Sequence, residues 1–293
     1  MHITDYMGKT LSNIVRAIKE ASLPVWMPFR RNAAYTPLSG RKDGLVVSLT
    51  SFPERIGNLW MVLDSLFRQD VRPDKIVVVL TKEEVPEGAS SLPESLRKFE
   101  PLGVETVFLP YNLRCHNKYF YAFGRYPDAT VVTVDDDCIY RKDTLKRLVD
   151  LHRKNPGAVC CNIAAVIDPD DFTSYKAWKK SSSEGEPDHL NVALGFAGIL
   201  YPEDIDRTIF LDRETAEKLA PTADDLWLKA VEIDRGIKVA RGRFFPKPVT
   251  IKSSQKVSLR SVNKGTESRN DRQWEALDGH FHLREKLNHQ PGF

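Results

Sequence analysis

The chain has 293 residues, of which 41% are hydrophobic and 28% charged, with a formal net charge of +3. That length suffices for one large core or two modest ones, and the composition is that of an ordinary globular protein. A charge so near neutral gives no reason to expect a nucleic-acid partner, and no apolar run approaches the roughly eighteen residues of a transmembrane helix.

Residues 1–44 read as an N-terminal helical extension. Leu11, Ile14, Val15 and Ile18 fall at i, i+3, i+4 and i+7, which predicts a helix with one apolar face. Lys9, Arg16 and Lys19 lie off that face, and Arg16, Lys19 and Glu20 interrupt the run too often for the apolar centre of a secretion signal. Such a face serves either a membrane surface or a partner, or it packs on the helix's own domain, which is the plainer expectation. Pro24, Pro28, Pro37 and Gly40 punctuate the link that follows.

A domain is expected over 45–251. Residues 45–50 form an apolar strand, 51–55 a turn, and Leu59, Val62, Leu63, Leu66 and Phe67 mark an amphipathic helix. A continuous apolar strand at 76–80 completes a βαβ unit, the building block of parallel sheets. After a polar loop with a short helix near 92–99 come a third strand at 104–109 and a helix through 119–123. A fourth strand at 130–134 precedes a helix marked by Leu145, Leu148, Val149 and His152, which Asn155, Pro156 and Gly157 end. Beyond this the pattern loosens. Residues 158–167 read as one strand, 181–187 as a loop, and 192–201 as an apolar stretch containing Gly195 and Gly198. Thr222 is placed to cap a helix that opens with Asp224 and Asp225 and runs to about Asp234. Residues 252–293 are polar and basic, without a strong period. Cys115, Cys138, Cys160 and Cys161 form no CxxC pair and read as reduced thiols of a cytosolic protein.

The fourth strand delivers Asp135, Asp136 and Asp137 at its C-terminal end, the end at which an α/β sheet binds ligands. Three adjacent carboxylates repel one another, so a nearby cation stabilises them. If the segment stays extended, Asp135 and Asp137 share one side and Asp136 faces the other. Oxygen ligands at that spacing suit Mg²⁺ or Mn²⁺ shared with a diphosphate; a solvated acidic turn is the competing reading.

Residues 131–140 resemble the Asp-x-Asp segment of GT-A fold glycosyltransferases. Other pieces match in order: Ser48–Ile56 is similar to the first strand and its nucleotide-contacting turn, and Ser65–Gln69 with Pro73–Ile76 to the first helix and second strand of family-2-like bacterial enzymes. His116–Tyr119 lies ahead of the Asp cluster as in a subgroup that builds surface polysaccharides such as capsule and O-antigen. Gly195–Pro202 and Ala223–Trp227 complete a set covering 45–235. The resemblance implies an α/β fold of the Rossmann-like GT-A type, a mixed and mostly parallel sheet flanked by helices. Residues 45–140 would form the nucleotide-binding part, 141–251 the acceptor part, and 252–293 a basic segment closing on the site through Arg260, Lys264, Arg269 and Arg272.

The implied reaction is inverting, metal-dependent sugar transfer from a nucleotide-sugar donor, UDP-sugar favoured, to a glycan or lipid-linked acceptor at the cytoplasmic side of a bacterial membrane. Asp135 and Asp137 are the candidate metal ligands for Mn²⁺ or Mg²⁺, with His280 or His282 as a late addition. Asp136 is placed at the ribose or donor sugar, Lys118 at the diphosphate, and Thr50, Ser51 and Arg55 at the base or ribose, with simple turn chemistry as the alternative for Thr50 and Ser51. By resemblance Asp225 holds the place of the general base; helix-dipole pairing is the alternative for both Asp224 and Asp225. Trp227, with Asp224, lines an acceptor pocket or belongs to the core. The Gly195–Gly198 loop, with Gly198 placed at the acceptor or sugar pocket, either lets a sugar approach the backbone or makes a tight bend. A nucleotidyltransferase and a glycan-binding protein without turnover are the rival functions, although residues 48–55 lack the glycines of a phosphate loop.

Overall fold

The computed structural model describes residues 3–30, 34–180, 186–243, 246–255 and 269–288. In chain order the elements are α1 (Ile3–Arg30), β1 (Leu45–Thr50), α2 (Pro53–Phe67), β2 (Lys75–Thr81), α3 (Glu94–Arg97), β3 (Val104–Leu109), α4 (Asn117–Arg125), β4 (Thr130–Thr133) and β5 (Cys138–Ile139). Then follow α5 (Thr144–Lys154), β6 (Val159–Cys161), β7 (Ala164–Val166), β8 (Lys179–Lys180), β9 (Asn191–Ala193), β10 (Ile199–Tyr201), α6 (Arg213–Leu219), α7 (Asp224–Asp234), β11 (Val239–Arg241) and β12 (Val249–Thr250). The C-terminal helices are α8 (Arg269–Phe281) and α9 (Leu283–Asn288).

Seven strands form the central sheet in the order β11-β6-β10-β4-β1-β2-β3. β1 pairs in parallel with β2 and β4, and β2 with β3, while β10 runs antiparallel between β4 and β6. The sheet is thus mixed, mostly parallel and flanked by helices, the α/β architecture expected. Its central strands β1, β2 and β4 are largely apolar because both faces are covered. Val77 and Val79 of β2 face α4 and α7, whereas Ile76, Val78 and Leu80 face α2 and α5. β1 and β4 lie side by side, with Ser48 opposite Thr133, so the turns that follow them meet at one edge of the sheet.

Three local outcomes differ from the sequence reading. The single strand expected at 158–167 is two, β6 in the central sheet and β7 in a small sheet with β8 and β9. The chain changes sheet at buried Asn162, whose amide donates to the Ala197 carbonyl at 3.0 Å. Thr222 does not cap α7: the N-cap is Ala223, and the Thr222 hydroxyl and amide both donate to Gln273 Oε1. The C-terminal stretch, read as lacking a period, holds α8 and α9, whose Trp274, Leu277, Leu283 and Leu287 enter the same core cluster as α7. Arg260 and Lys264 lie outside the described residues.

The predicted N-terminal helix is present as α1, but it packs on the domain through Leu23 and Met27. Leu11, Ile14, Val15 and Ile18, the face expected to be covered, are exposed.

Candidate active site

β4 ends at Thr133 and the chain turns at Asp136 and Asp137 before β5. The alternation expected of an extended segment therefore stops at Asp135. Asp136 is buried and accepts hydrogen bonds from Arg55 Nη1 and Ser51 Oγ, each at 2.6 Å. The same guanidinium lies 3.1 Å from Asp137 Oδ2. Burial pushes the Asp136 carboxyl up to about 6 even with Arg55 and Ser51 favouring its charge. Ser51, Arg55 and Asp136, expected around the nucleotide, are thus bound to one another and knit the turn after β1 to the turn after β4. The Thr50 hydroxyl donates to the Val79 carbonyl at 2.8 Å and fixes the end of β1 on β2. Tyr140, just past β5, accepts the Asp135 amide at 2.8 Å and fixes the other side of the turn.

Asp135 points the opposite way, to a second cluster. Lys118 Nζ, brought in by the first turn of α4, donates to Asp135 Oδ1 at 2.7 Å and lies 2.9 Å from Asp224 Oδ2. The Lys118 side chain is 6% exposed, so the ion pairs sit in low dielectric and persist only because the partners surround it. Burial works against its charge, yet Asp135, Asp224 and Asp225 together hold its pKa well above the ordinary lysine value.

Asp224 and Asp225 open α7. Acidic residues in a first turn commonly cap their own helix, but α7 has no side-chain cap. Asp225 instead accepts the Gly195 amide on both oxygens, at 3.2 and 3.3 Å, and Asp224 turns to Lys118. Burial, then the neighbouring Asp224 charge, raises the Asp225 carboxyl well above the usual range. Burial raises Asp135 as well. A carboxylate held by one backbone amide in a crowded negative site is a stronger proton acceptor than an ordinary carboxylate.

Gly195 matters for a reason the sequence did not single out. A Cβ there would lie 3.1 Å from Asp225 Oδ1 and 3.4 Å from Lys118 Nζ. A side chain there would press on the Asp225 carboxylate, which would have to give by a few tenths of an ångström. Gly198, the other glycine of the loop, sits at φ +89° against Leu148 and Thr144 of α5; it makes the bend into β10. Trp227 does not line a pocket. It is buried, with Nε1 donating to the Phe210 carbonyl at 3.1 Å and its ring against Phe281 of α8. His116 is buried too, bridging the Tyr119 hydroxyl and the Ala220 carbonyl at 2.8 Å each, and burial keeps its pKa low. It ties α4 to the turn before Asp224. Cys115, for which the sequence offered no signal, adjoins Asp224; burial and that charge push its thiol well up.

The metal ligands expected at Asp135, Asp137 and His280 do not assemble as a trio. Among the described residues no three His, Cys, Asp or Glu side chains are grouped to hold an ion, and His280 is exposed on α8, where it acts on Asp212. Two carboxylates completed by substrate phosphates remain chemically apt, since Mg²⁺ is commonly held that way. Around Lys118 and Arg55 five carboxylates, Asp135, Asp136, Asp137, Asp224 and Asp225, face two cations, an excess of negative charge that a hard divalent cation held by Asp135, Asp137 and phosphate oxygens would offset.

Likeness to solved structures is at the level of fold. S. aureus TarS 1-349 is 12% identical over 85% of this chain and 75% of that one, with a TM-score of 0.46. Glucosyl-3-phosphoglycerate synthase from Mycobacterium tuberculosis, in complex with Mn²⁺, UDP and glucosyl-3-phosphoglycerate, is 15% identical over 86% and 82%, with a TM-score of 0.46. A 4-diphosphocytidyl-2C-methyl-D-erythritol synthase from Anaerococcus prevotii DSM 20548 is 15% identical over 76% and 100%, with a TM-score of 0.45. No curated protein matches the chain. The family model described as glycosyl transferase family 2 matches residues 50–197, just over half the chain, from the turn after β1 through Lys118 and the Asp turn to the Gly195 loop; the chain belongs to that family.

Proposed function

We propose that the protein is an inverting glycosyltransferase that moves a sugar from a nucleotide-sugar donor, UDP-sugar by preference, to a hydroxyl of a glycan or lipid-linked acceptor in bacterial polysaccharide synthesis. The observation that carries the reading is the placement of Asp225: poised by the Gly195 amide, with a raised pKa, beside the Lys118–Asp135 pair. In this reading Asp225 takes the proton of the acceptor hydroxyl. The oxygen attacks the anomeric carbon from the face opposite the diphosphate, the carbon–oxygen bond to phosphate breaks, and its electron pair leaves on the nucleoside diphosphate. Direct displacement inverts the anomeric centre.

Lys118 supplies fixed positive charge where the diphosphate departs, and its two aspartate partners keep it charged and in place. Arg55 and Ser51 hold the Asp turn in shape from below. Asp135 and Asp137 are the residues that would hold Mg²⁺ or Mn²⁺, which acts as a Lewis acid on the leaving diphosphate. The cytoplasmic side of the membrane is the setting this reading gives.

Thermal-shift screening of nucleotide sugars, with and without Mn²⁺, tests donor binding, because a ligand that binds the folded state raises apparent stability. A UDP-sugar that stabilises the protein and is consumed only with an acceptor supports the reading. Stabilisation by nucleoside triphosphates with pyrophosphate release points to nucleotide transfer instead, and glycan binding without donor consumption to a non-catalytic protein.

A further inference from the structure

α1 carries an apolar stripe that the domain leaves uncovered. Leu11, Ile14, Val15, Ile18, Val25 and Phe29 are between 42% and 86% exposed. At 100° per residue they fall within one arc of about 100° on the helix, and the stripe runs some 27 Å along it. The helix meets the domain through a different face, with Leu23 and Met27 in the core and Glu20 accepting the Thr250 amide at 3.2 Å. A surface of this length is more than scattered exposed side chains explain.

The charge around the stripe names its occupant. Leu11 and Val15 form one wall of a groove whose other lining includes Arg16, Lys19, Arg141 and Lys247. Arg16 lies 3.4 Å from Glu20, and Arg141 pairs with Asp143 at 2.9 Å. Among the described residues the lining of the groove carries four basic side chains and no acidic one. Trp26 stands at the flank of the stripe with Arg30 over its ring, the amphipathic arrangement of side chains at a lipid–water boundary. A second copy of the chain would bring the same positive flank against itself in an isologous pair, with no acidic complement on the outward arc. An anionic surface that takes both apolar side chains and cations fits both features.

We propose that α1 is a membrane-docking helix that lies in the interface of a bilayer containing anionic phospholipid, its apolar stripe among the acyl chains and the basic groove on headgroup phosphates. The helix is tied directly to the Asp turn. Glu20 holds Thr250, and the next residue, Ile251, donates its amide to the Asp137 carbonyl at 2.8 Å. β12 also pairs with β5, which begins just after Asp137. Docking therefore sets the Asp turn beside the lipid surface. That this presents the site to a lipid-borne acceptor rests on the glycosyltransferase reading; the docking itself does not.

The test is co-sedimentation of the full chain, without nucleotide sugar, with vesicles of phosphatidylcholine alone or mixed with phosphatidylglycerol. Binding to the mixed vesicles, weakened by salt, is expected. Ile14→Asp with Ile18→Asp should reduce it by at least about tenfold at an unchanged melting temperature, since both side chains are exposed. Lys19→Gln with Lys247→Gln should cost roughly tenfold on mixed vesicles only. Absence of binding to either vesicle, binding indifferent to Ile14 and Ile18, or a stable dimer in solution that the Ile14 and Ile18 changes dissociate would overturn the proposal. Donor binding in the thermal-shift assay is scored separately, so loss of one reading leaves the other standing.

Discussion

Asp225 belongs to the Lys118 cluster and Asp137 to the Arg55 cluster, and their substitutions should separate two functions. Asp225→Asn keeps the amide contact with Gly195 within reach but removes the base. Transfer should fall about a hundred- to ten-thousand-fold while donor affinity stays within a factor of a few. Asp137→Asn should do the reverse in order of events, losing metal-dependent donor binding first. Isothermal titration with donor and Mn²⁺, set beside initial rates, reads both; a loss of donor affinity in Asp225→Asn would move that residue out of the base role. The pH dependence follows from sign. A base works when deprotonated, and burial with the Asp224 charge raises the Asp225 carboxyl. Transfer should therefore decline on acidification with an apparent pKa above the ordinary carboxylate range, and the decline should vanish in Asp225→Asn. Both carboxylates were legible as candidates because an Asp pair at a helix start and three Asp after an apolar strand are visible as patterns. What sequence could not show was their pairing. Ser51 with Asp136 and Lys118 with Asp224 are contacts between residues 85 and more than 100 positions apart, and no local period encodes them.

At the scale of elements, β1, β2 and β4 followed from their apolar runs, since a strand buried on both faces needs no partner to be recognised. Short pieces were less legible. β6 and β7 are three residues each, and their separation depends on Asn162 meeting the Ala197 carbonyl. α8 was missed because its buried positions, Gln273, Trp274 and Leu277, are few among charged neighbours. α7 shows a further cost that sequence pattern hides. Lys229 and Glu232 form an ion pair at 3.4 Å with each side chain at most 2% exposed. Burial raises the Glu232 carboxyl to about 7 and lowers the Lys229 ammonium. Since the folded state keeps the Glu232 proton above the ordinary value of 4.5, its contribution to stability is full below that value and is lost as pH rises towards about 7. Denaturant midpoints should fall across that window in the native protein. Glu232→Leu alone strands a buried ammonium and should cost about 3–5 kcal/mol, whereas Lys229→Met with Glu232→Leu should be neutral or more stable by about 1–4 kcal/mol. Equal losses in the single and double variants would mean that the pair is a net stabiliser.

Across the whole molecule the described C-terminal helices bear on the helix that opens with Asp224 and Asp225. α8 and α9 pack against α7 from the end of the chain, and Gln273 Oε1 accepts both the amide and hydroxyl of Thr222, two residues before Asp224. The last helices thus hold the start of the helix that carries Asp224 and Asp225, through a link of 51 residues in sequence that composition does not reveal. Two substitutions distinguish packing from positioning. Trp274→Ala removes a fully buried indole and should cost about 3–5 kcal/mol, lowering the melting temperature by on the order of 10 °C. Gln273→Ala removes the polar link but little apolar contact, so its stability loss should be only about 1 kcal/mol. Its effect should appear in kcat, because Thr222 no longer fixes the first turn of α7, while KM for donor changes little, since Lys118 and the Asp turn keep their partners. Gln273→Glu, which retains the acceptor oxygen, should restore part of kcat. A Gln273→Ala enzyme with native kcat would show that α7 is held by its apolar face alone, and that the C-terminal helices serve the core without serving the chemistry.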